Sequence, residues 1–355
     1  MGGTMENPLV YAVKHKEESV RMASRSGGIF TAISDIVLRE GGVVYGCALD
    51  RKFRASHIRA ETKEERDRMR GSKYVQSDMA DTMKNIRKDL GAGRRVLFSG
   101  TSCQVAGLYS FLGKDYGELL FCMDILCQGV PSPLVWERYL QWQQELNGME
   151  CTDVNFRNKK DFGWEASVET LTFGRADGSE KTVHSQVFRN LFGSHRIIRE
   201  SCYQCPYKEV THQSDMTVGD FWGIDRAAPG FDDNCGVSLV LVNTKRAAEL
   251  FDAAKEELDY VPCRIEDSMQ TALKKPVLRP EGRDEFWRDF REHDFYYIAE
   301  KYGHYNEESG AKLDRIARRY KNRNKWVLVK KVYRRLKQCG KRIFNLSKKS
   351  SASKP

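Results

Sequence analysis

The stretch Arg94-Arg95-Val96-Leu97-Phe98-Ser99-Gly100-Thr101-Ser102-Cys103-Gln104-Val105-Ala106-Gly107-Leu108 decides how the chain is read. Arg95–Phe98 reads as a buried strand that runs into the turn Ser99-Gly100-Thr101, and a helix follows from about Gln104. Leu119–Leu126 is the next strand and delivers Cys127. Working back toward the N-terminus, Leu9–Val13 is a short strand, and Gly27-Gly28 opens an apolar-periodic helix that runs to about Arg39 and stops at Gly41-Gly42. Val43–Leu49 and His57–Ala60 are strands. Thr62-Lys63-Glu64-Glu65 fits a capping box, so a helix starts there and ends near Gly71. Ala80–Leu90 is helical. Strand and helix alternate throughout, which is the α/β signature.

Past Cys151 the pattern changes. From Cys151 to Val187 it has period two, with turns such as Ala176-Asp177-Gly178, and reads as antiparallel. Phe188–Ile198 is expected to be helical, Ser214–Phe221 and Val237–Val242 to be strands, and Thr244–Leu258 an amphipathic helix. Beyond Pro280 the chain reads as helical and increasingly basic. The expected class is α/β (mixed α+β), with a β/α N-terminal part, a mixed-sheet cofactor domain and a helical basic tail. The expected divisions are residues 1–135, 136–280 and 281–355.

In a chain of 355 residues, 40 % hydrophobic, a packed core is within reach and wholesale disorder is excluded. No apolar run approaches the roughly 18 residues that cross a bilayer. The first residues lack the apolar segment of a secretory signal, and Glu6 stands where a myristoylation signal needs Ser or Thr. The expectation is a soluble, cytoplasmic protein. The formal charge of +10 is unevenly spread: residues 311–355 hold 17 of the 59 Lys and Arg and one acidic residue, Asp314. The first 310 residues carry 42 basic against 48 acidic side chains, so the body is mildly acidic and no nucleic-acid reader.

Ten cysteines in an intracellular chain point to metal ligation or redox chemistry rather than disulfides. Cys103 stands near a helix N-terminus, which lowers a thiol pKa. Cys127 stands at a strand end before a Gly/Pro turn, and Cys202-Tyr203-Gln204-Cys205-Pro206 is a C-x-x-C. That turn brings two sulfurs to one metal, and two more at strand ends could complete four thiolates, for zinc and an iron–sulfur cluster alike. Cys47, Cys122, Cys151, Cys235, Cys263 and Cys339 read as core or spare thiols. His15, His57, His184, His195, His212, His293 and His304 show no ligand spacing, and no P-loop, G-x-G-x-x-G or G-x-S-x-G is present.

Six segments, in the order SRSGGIFTAI, RGSKYVQS, VLFSGTSCQVAGL, DILCQGVPSP, SCYQCPYK and SDMTVGDFWGI, resemble the beta-subunit family of coenzyme F-420 hydrogenase/dehydrogenase over roughly residues 9–280. The resemblance implies FAD and a 4Fe-4S cluster. It implies an oxidoreductase that passes electrons between a hydride carrier, the deazaflavin coenzyme in the named members, and the cluster. By motif match Cys103, Cys127, Cys202 and Cys205 are the implied cluster ligands, and the tie with zinc breaks toward iron–sulfur. Many relatives begin with a ferredoxin-like module, but this chain has no cysteine before Cys47, so a ferredoxin or partner redox subunit would relay electrons. A non-catalytic zinc-stabilised binding or scaffold protein is the alternative.

Ser24-Arg25-Ser26-Gly27-Gly28 sets N–H groups, two hydroxyls and an arginine at a helix start, suited to the FAD pyrophosphate or simply an ordinary helix start. Arg70-Gly71-Ser72-Lys73-Tyr74-Val75-Gln76-Ser77 concentrates cations and hydroxyls, and Lys73 could compensate phosphate charge or reduced-flavin charge. The plain reading of this segment is a solvated loop. Thr101 and Gln104 flank a ligand and could donate to cluster sulfurs. Asp215, Asp220 and Trp222 are family-matched, with Asp220 and Trp222 on one strand face beside the cofactor or Asp220 tying down a loop. From Trp326 apolar residues recur every three or four positions among Lys and Arg, the pattern of a basic amphipathic helix over 326–346. It would lie on an anionic membrane surface at the inner face, dock on the body, or receive an acidic ferredoxin.

Overall fold

A computed structural model describes residues 4–322. Eleven strands are found among them: β1 (Thr4–His15), β2 (Val43–Leu49), β3 (Ala55–Ala60), β4 (Val96–Thr101), β5 (Leu120–Ile125), β6 (Glu150–Asn155), β7 (Glu169–Gly174), β8 (Glu180–Ser185), β9 (Met216–Asp220), β10 (Ser238–Thr244) and β11 (Leu258–Cys263). Eight form one sheet in the order β11-β1-β10-β9-β5-β4-β2-β3, and β6-β7-β8 form a second, antiparallel sheet. The centre of the large sheet is parallel: β2, β4, β5 and β9 run the same way. β1 and β9 each lie antiparallel to β10, so β1 shares that direction.

Why the sheet is sandwiched follows from alternation along its strands. Val44, Leu97, Phe121 and Met123 point into a core closed by helices Ile29–Arg39 and Lys245–Ala254. Their neighbours Val43, Tyr45, Val96, Phe98, Leu120 and Cys122 point the other way, onto helices Thr82–Gly91 and Ser102–Leu112. Strands buried on both faces read as continuous apolar runs, which is how Val43–Leu49, Arg95–Phe98 and Leu119–Leu126 read in sequence. A separate aromatic core joins helix Pro133–Asn147, the small sheet and helices Arg283–Glu292 and Phe295–Lys301 through Trp136, Tyr139, Phe188, Phe286 and Phe290.

Several boundaries differ from the sequence reading. β1 extends well beyond Leu9–Val13 because β10 and β11 pair on both its sides. The helix expected over Phe188–Ile198 spans Val187–Gly193; His195 takes φ 57°, and Ile197 and Ile198 are buried as extended chain beside Pro131 and Ser132. β11 has no counterpart in the sequence reading, which ran a helix to Leu258. It is an edge strand, where Pro262 is tolerated because one side of its backbone needs no ladder partner. The large sheet takes β1–β5 from residues before 135 and β9–β11 from residues after it. Among the described residues no helix is long and apolar enough to cross a membrane. The tail helix expected over 326–346 lies outside the described residues.

Candidate functional site

Because β1, β2, β4, β5 and β9 are co-directional, their carboxyl ends open on one edge, the usual place for ligands in such sheets. β4 ends at Thr101 and hands Cys103 to the first turn of helix Ser102–Leu112. The Thr101 N–H donates to Gln104 Oε1 at 2.9 Å, which closes that turn. β5 ends at Ile125, and the chain leaves it through Leu126 to Cys127, whose sulfur accepts the Gly129 N–H at 3.3 Å. Cys202 lies in the short 3-10 turn Glu200–Gln204 and Cys205 directly follows it, the turn being anchored by the Tyr203 hydroxyl donating to His195 O at 2.6 Å.

All four cysteines are free thiols from three separate segments. They are neighbours: burial pushes the Cys127 thiol up to about 11, Lys208 and the Gly129 N–H oppose the shift, and Cys202 and Cys103 add to it. Cys202 is likewise raised by burial, with Cys103 and Cys205 acting on it. Among the described residues no group of three or more His, Cys, Asp or Glu side chains is arranged so that it could hold a metal ion. Thr101 Oγ1 lies 3.1 Å from Cys103 Sγ and 3.2 Å from Gln104 Oε1, and the Gln104 amide donates to Ser77 Oγ at 2.9 Å. The donor set suits thiolate ligation, and two of the sulfurs already have hydrogen-bonding partners of the kind that tune such ligands.

Next to Ser77 the carboxyl ends of β2 and β4 hold a polar group of three. Cys47 lies beside Lys73 and Ser77. His57, its cross-strand partner, turns Nε2 toward Ser99 O at 3.1 Å and stacks on Phe98. Because a carbonyl can only accept, Nε2 carries the proton and Nδ1 is a bare acceptor, buried without a partner among the described residues. Burial holds the imidazole near 4, so it is neutral at pH 7. Lys73 donates to Arg68 O and Arg70 O at 3.0 and 2.9 Å, and burial lowers it to about 8.

The Arg70–Ser77 loop packs against the residues that flank Ser24–Gly28 on either side. Gly71 approaches Ala23 O, and Arg70 Nε donates to Thr31 Oγ1 at 3.1 Å while its fork pairs with Asp67. Within Ser24–Gly28, however, much of the polarity is already used. Ser24 Oγ donates to Val20 O and Ser26 Oγ to Val237 O, while Ser238 Oγ accepts the Gly27 N–H. Gly27 must be glycine, since a Cβ would sit 2.0 Å from Val13 O. Gly28 takes φ 95° at the start of helix Ile29–Arg39. Ser72 is half-buried in its loop, and Tyr74 packs its ring into the aromatic core against Phe156 and Phe192 while its hydroxyl meets Arg157.

Asp220, at the end of β9, accepts from the Trp164 indole at 3.0 Å and pairs with Arg25 at 3.0 Å. Asp215, matched alongside it, does something else: fully buried, it takes the Cys122 N–H, the Thr244 hydroxyl and the Arg246 guanidinium, locking β5, β9 and β10 together. Sequence reasoning passed over Arg157, Lys159, Trp164, Cys47 and His57, because none stands in a motif and only the fold brings them to this edge.

The edge thus defines an α/β protein with a thiol-rich polar site at its parallel strand ends. Two family models match the chain, both of the coenzyme F420 hydrogenase/dehydrogenase beta subunit: that of its N-terminal part over residues 10–84, and that of its C terminus over residues 93–266. The chain belongs to this family and is an oxidoreductase of that type. Among solved structures, a chain of the F420-reducing [NiFe] hydrogenase complex from Methanosarcina barkeri is similar at 18% identity, with a TM-score of 0.49 over 72% of this chain and 83% of that one. No curated protein sequence matches.

Proposed function

We propose that this chain is a flavin- and 4Fe-4S-dependent oxidoreductase, passing electrons between a hydride carrier, deazaflavin coenzyme F-420 or a similar molecule, and an external one-electron carrier. The observation that carries the reading is that four free thiols from three segments come within electrostatic reach of one another, with Gln104 linking the Cys103 turn to Ser77 of the Arg70–Ser77 loop. Bound there, FAD and the cluster would supply the exchange between two-electron and one-electron chemistry.

The chain's own residues position these groups. Cys103, Cys127, Cys202 and Cys205 would hold the cluster, with Thr101 and the Gly129 N–H tuning two of the sulfurs. Ser24–Gly28 and Arg70–Ser77 would flank the flavin, Lys73 offering positive charge and His57 Nδ1 an acceptor. Gln104 would link the two cofactors' surroundings through Ser77. The segments 1–135 and 136–280 would each contribute half of the site, with 281–355 as an extension. The electron partner would be a ferredoxin or a partner redox subunit in the cytoplasm.

The test is anaerobic purification with iron, sulfide, zinc and flavin quantified. Brown protein holding iron, sulfide and flavin is expected, whereas colourless zinc protein would replace this reading with the scaffold alternative. Lys73→Glu should lose flavin while iron content stays largely intact, and unchanged flavin stoichiometry in that variant would remove the Arg70–Ser77 loop from the flavin site.

A further inference from the structure

The C-x-x-C pair lies in a stretch with little regular structure. Between helix Val187–Gly193 and β9 the chain forms a short 3-10 turn, Glu200–Gln204, which carries Cys202 and leads into Cys205. A segment of this kind keeps its shape through bonds to more rigid elements. Its entry is laced to the chain just past Cys127: the Ser132 N–H donates to Ile197 O at 2.9 Å and the Arg199 N–H to Val130 O at 3.0 Å. The Cys202 N–H then closes locally on Arg199 O at 2.9 Å.

Two side chains reach out of the turn. Tyr203, between the two cysteines, bonds back to His195 O, and Glu200 accepts from Arg279 Nε on one oxygen and from Arg283 Nε on the other, both at 2.8 Å. Arg283 does more than pair. Its Nη1 donates to Arg196 O, and its guanidinium lies over the Tyr203 ring at 5.3 Å and the Trp287 ring at 5.4 Å. Trp287 Nε1 donates to the same Arg196 carbonyl at 3.1 Å. One planar fork therefore touches the elbow before the turn, its first residue and the residue between the cysteines, a combination an ammonium could not make. The Arg283 side chain is 9 % exposed, so its charge is poorly screened. Helix Arg283–Glu292, which carries it, is fixed by Phe286 and Phe290 in the aromatic core.

We propose that Arg283 is the positioning residue of the C-x-x-C pair: by clamping Arg196, Glu200 and Tyr203 it fixes Cys202 and Cys205 relative to Cys103 and Cys127. Helix Arg283–Glu292 lies beyond residue 266, where the C-terminal family match ends, and is nonetheless a working part of the site. The clamp stands on this geometry, while its consequence for a bound cluster rests on the 4Fe-4S function proposed above.

Anaerobic alkylation of the full-length protein with iodoacetamide, read cysteine by cysteine by mass spectrometry, tests it, with iron and zinc quantified on the same samples. Arg283→Met keeps the packing bulk while charge and donors go. Alkylation of Cys202 and Cys205 is then expected to rise by about tenfold or more, the scale of a lost charge-assisted hydrogen bond. Cys151 and Cys263, on the edge strands β6 and β11, are internal references and should be unchanged. Arg283→Lys keeps the charge without the fork and should fall between wild type and Arg283→Met. Should Arg283→Met fail to fold, Glu200→Ala decides: this carboxylate is 62 % exposed, so its removal opens no core, and the same two cysteines should become several-fold more reactive. Wild-type reactivity of Cys202 and Cys205 in the folded variants overturns the proposal. So does an equal rise at Cys151 and Cys263, which would mark general loosening rather than lost positioning. Metal-free wild-type protein whose Cys202 and Cys205 still respond to Arg283→Met would keep the clamp and remove the cluster reading instead.

Discussion

Two aspartates five residues apart show how differently one residue type is used. Asp215 is fully buried with Arg246 Nε 2.5 Å away, and its removal would leave that guanidinium unpaired. Asp215→Ala is expected to cost about 3–5 kcal/mol of stability in denaturant titration, whereas Asp220→Asn should cost far less. Both stand in a single sequence segment, and nothing in the letters separates the clamp from the residue facing the site. The fold decides, by placing Arg246 at one and Arg25 with Arg157 at the other. His57 carries a pH signature. Its folded-state value near 4 lies below the ordinary 6.5, so between those values the unfolded chain binds the extra proton. Stability therefore falls as pH drops from about 6.5 toward 4, by on the order of 3 kcal/mol from this residue. His57→Gln should flatten that part of the difference between pH 7 and pH 5 in paired unfolding curves.

At the scale of elements, helix starts were the most legible feature. Thr62 accepts the Glu65 N–H and Glu65 reaches back to the Thr62 N–H, the reciprocal arrangement read from four letters. Thr62→Ala should lower stability by about 1 kcal/mol, read as a shift of the urea midpoint without change in slope. Helix ends were less legible where left-handed residues other than glycine intervene. His195 stops the helix that its apolar neighbours would continue, because Ile197 and Ile198 are buried against Pro131 rather than along a helical face. The placing of Cys103 at a helix start and Cys127 just past a strand end was legible because each stands in a turn with its own local signature. Arg157, Lys159 and Trp164 were not, since their segment lies between β6 and β7 of the small sheet and only tertiary packing brings it to Asp220. Gly27 belongs with the turns: Gly27→Ala drives a methyl into Val13 O, and a loss of about 3 kcal/mol in denaturant unfolding is expected.

For the molecule as a whole, charge is split between an acidic body and a basic C-terminal region. Sedimentation with anionic vesicles should separate the membrane reading of residues 326–346 from the other two. If the full chain pellets and a chain ending at residue 322 does not, the membrane reading holds; equal pelleting of both eliminates it. The place of β1 has a different consequence. It lies between β10 and β11, so residues 4–15 find their partners only among residues 238–263. During synthesis at roughly 5–20 residues per second, the first strand therefore waits on the order of 10–50 s before either neighbour leaves the ribosome. The loop that follows it leans on Val237 and Ser238 and cannot be shaped earlier. Any ligand of that loop must join a chain at least two-thirds made, so loading comes late in synthesis or after it, and nascent chains stalled before residue 238 should be protease-sensitive at their N-terminus.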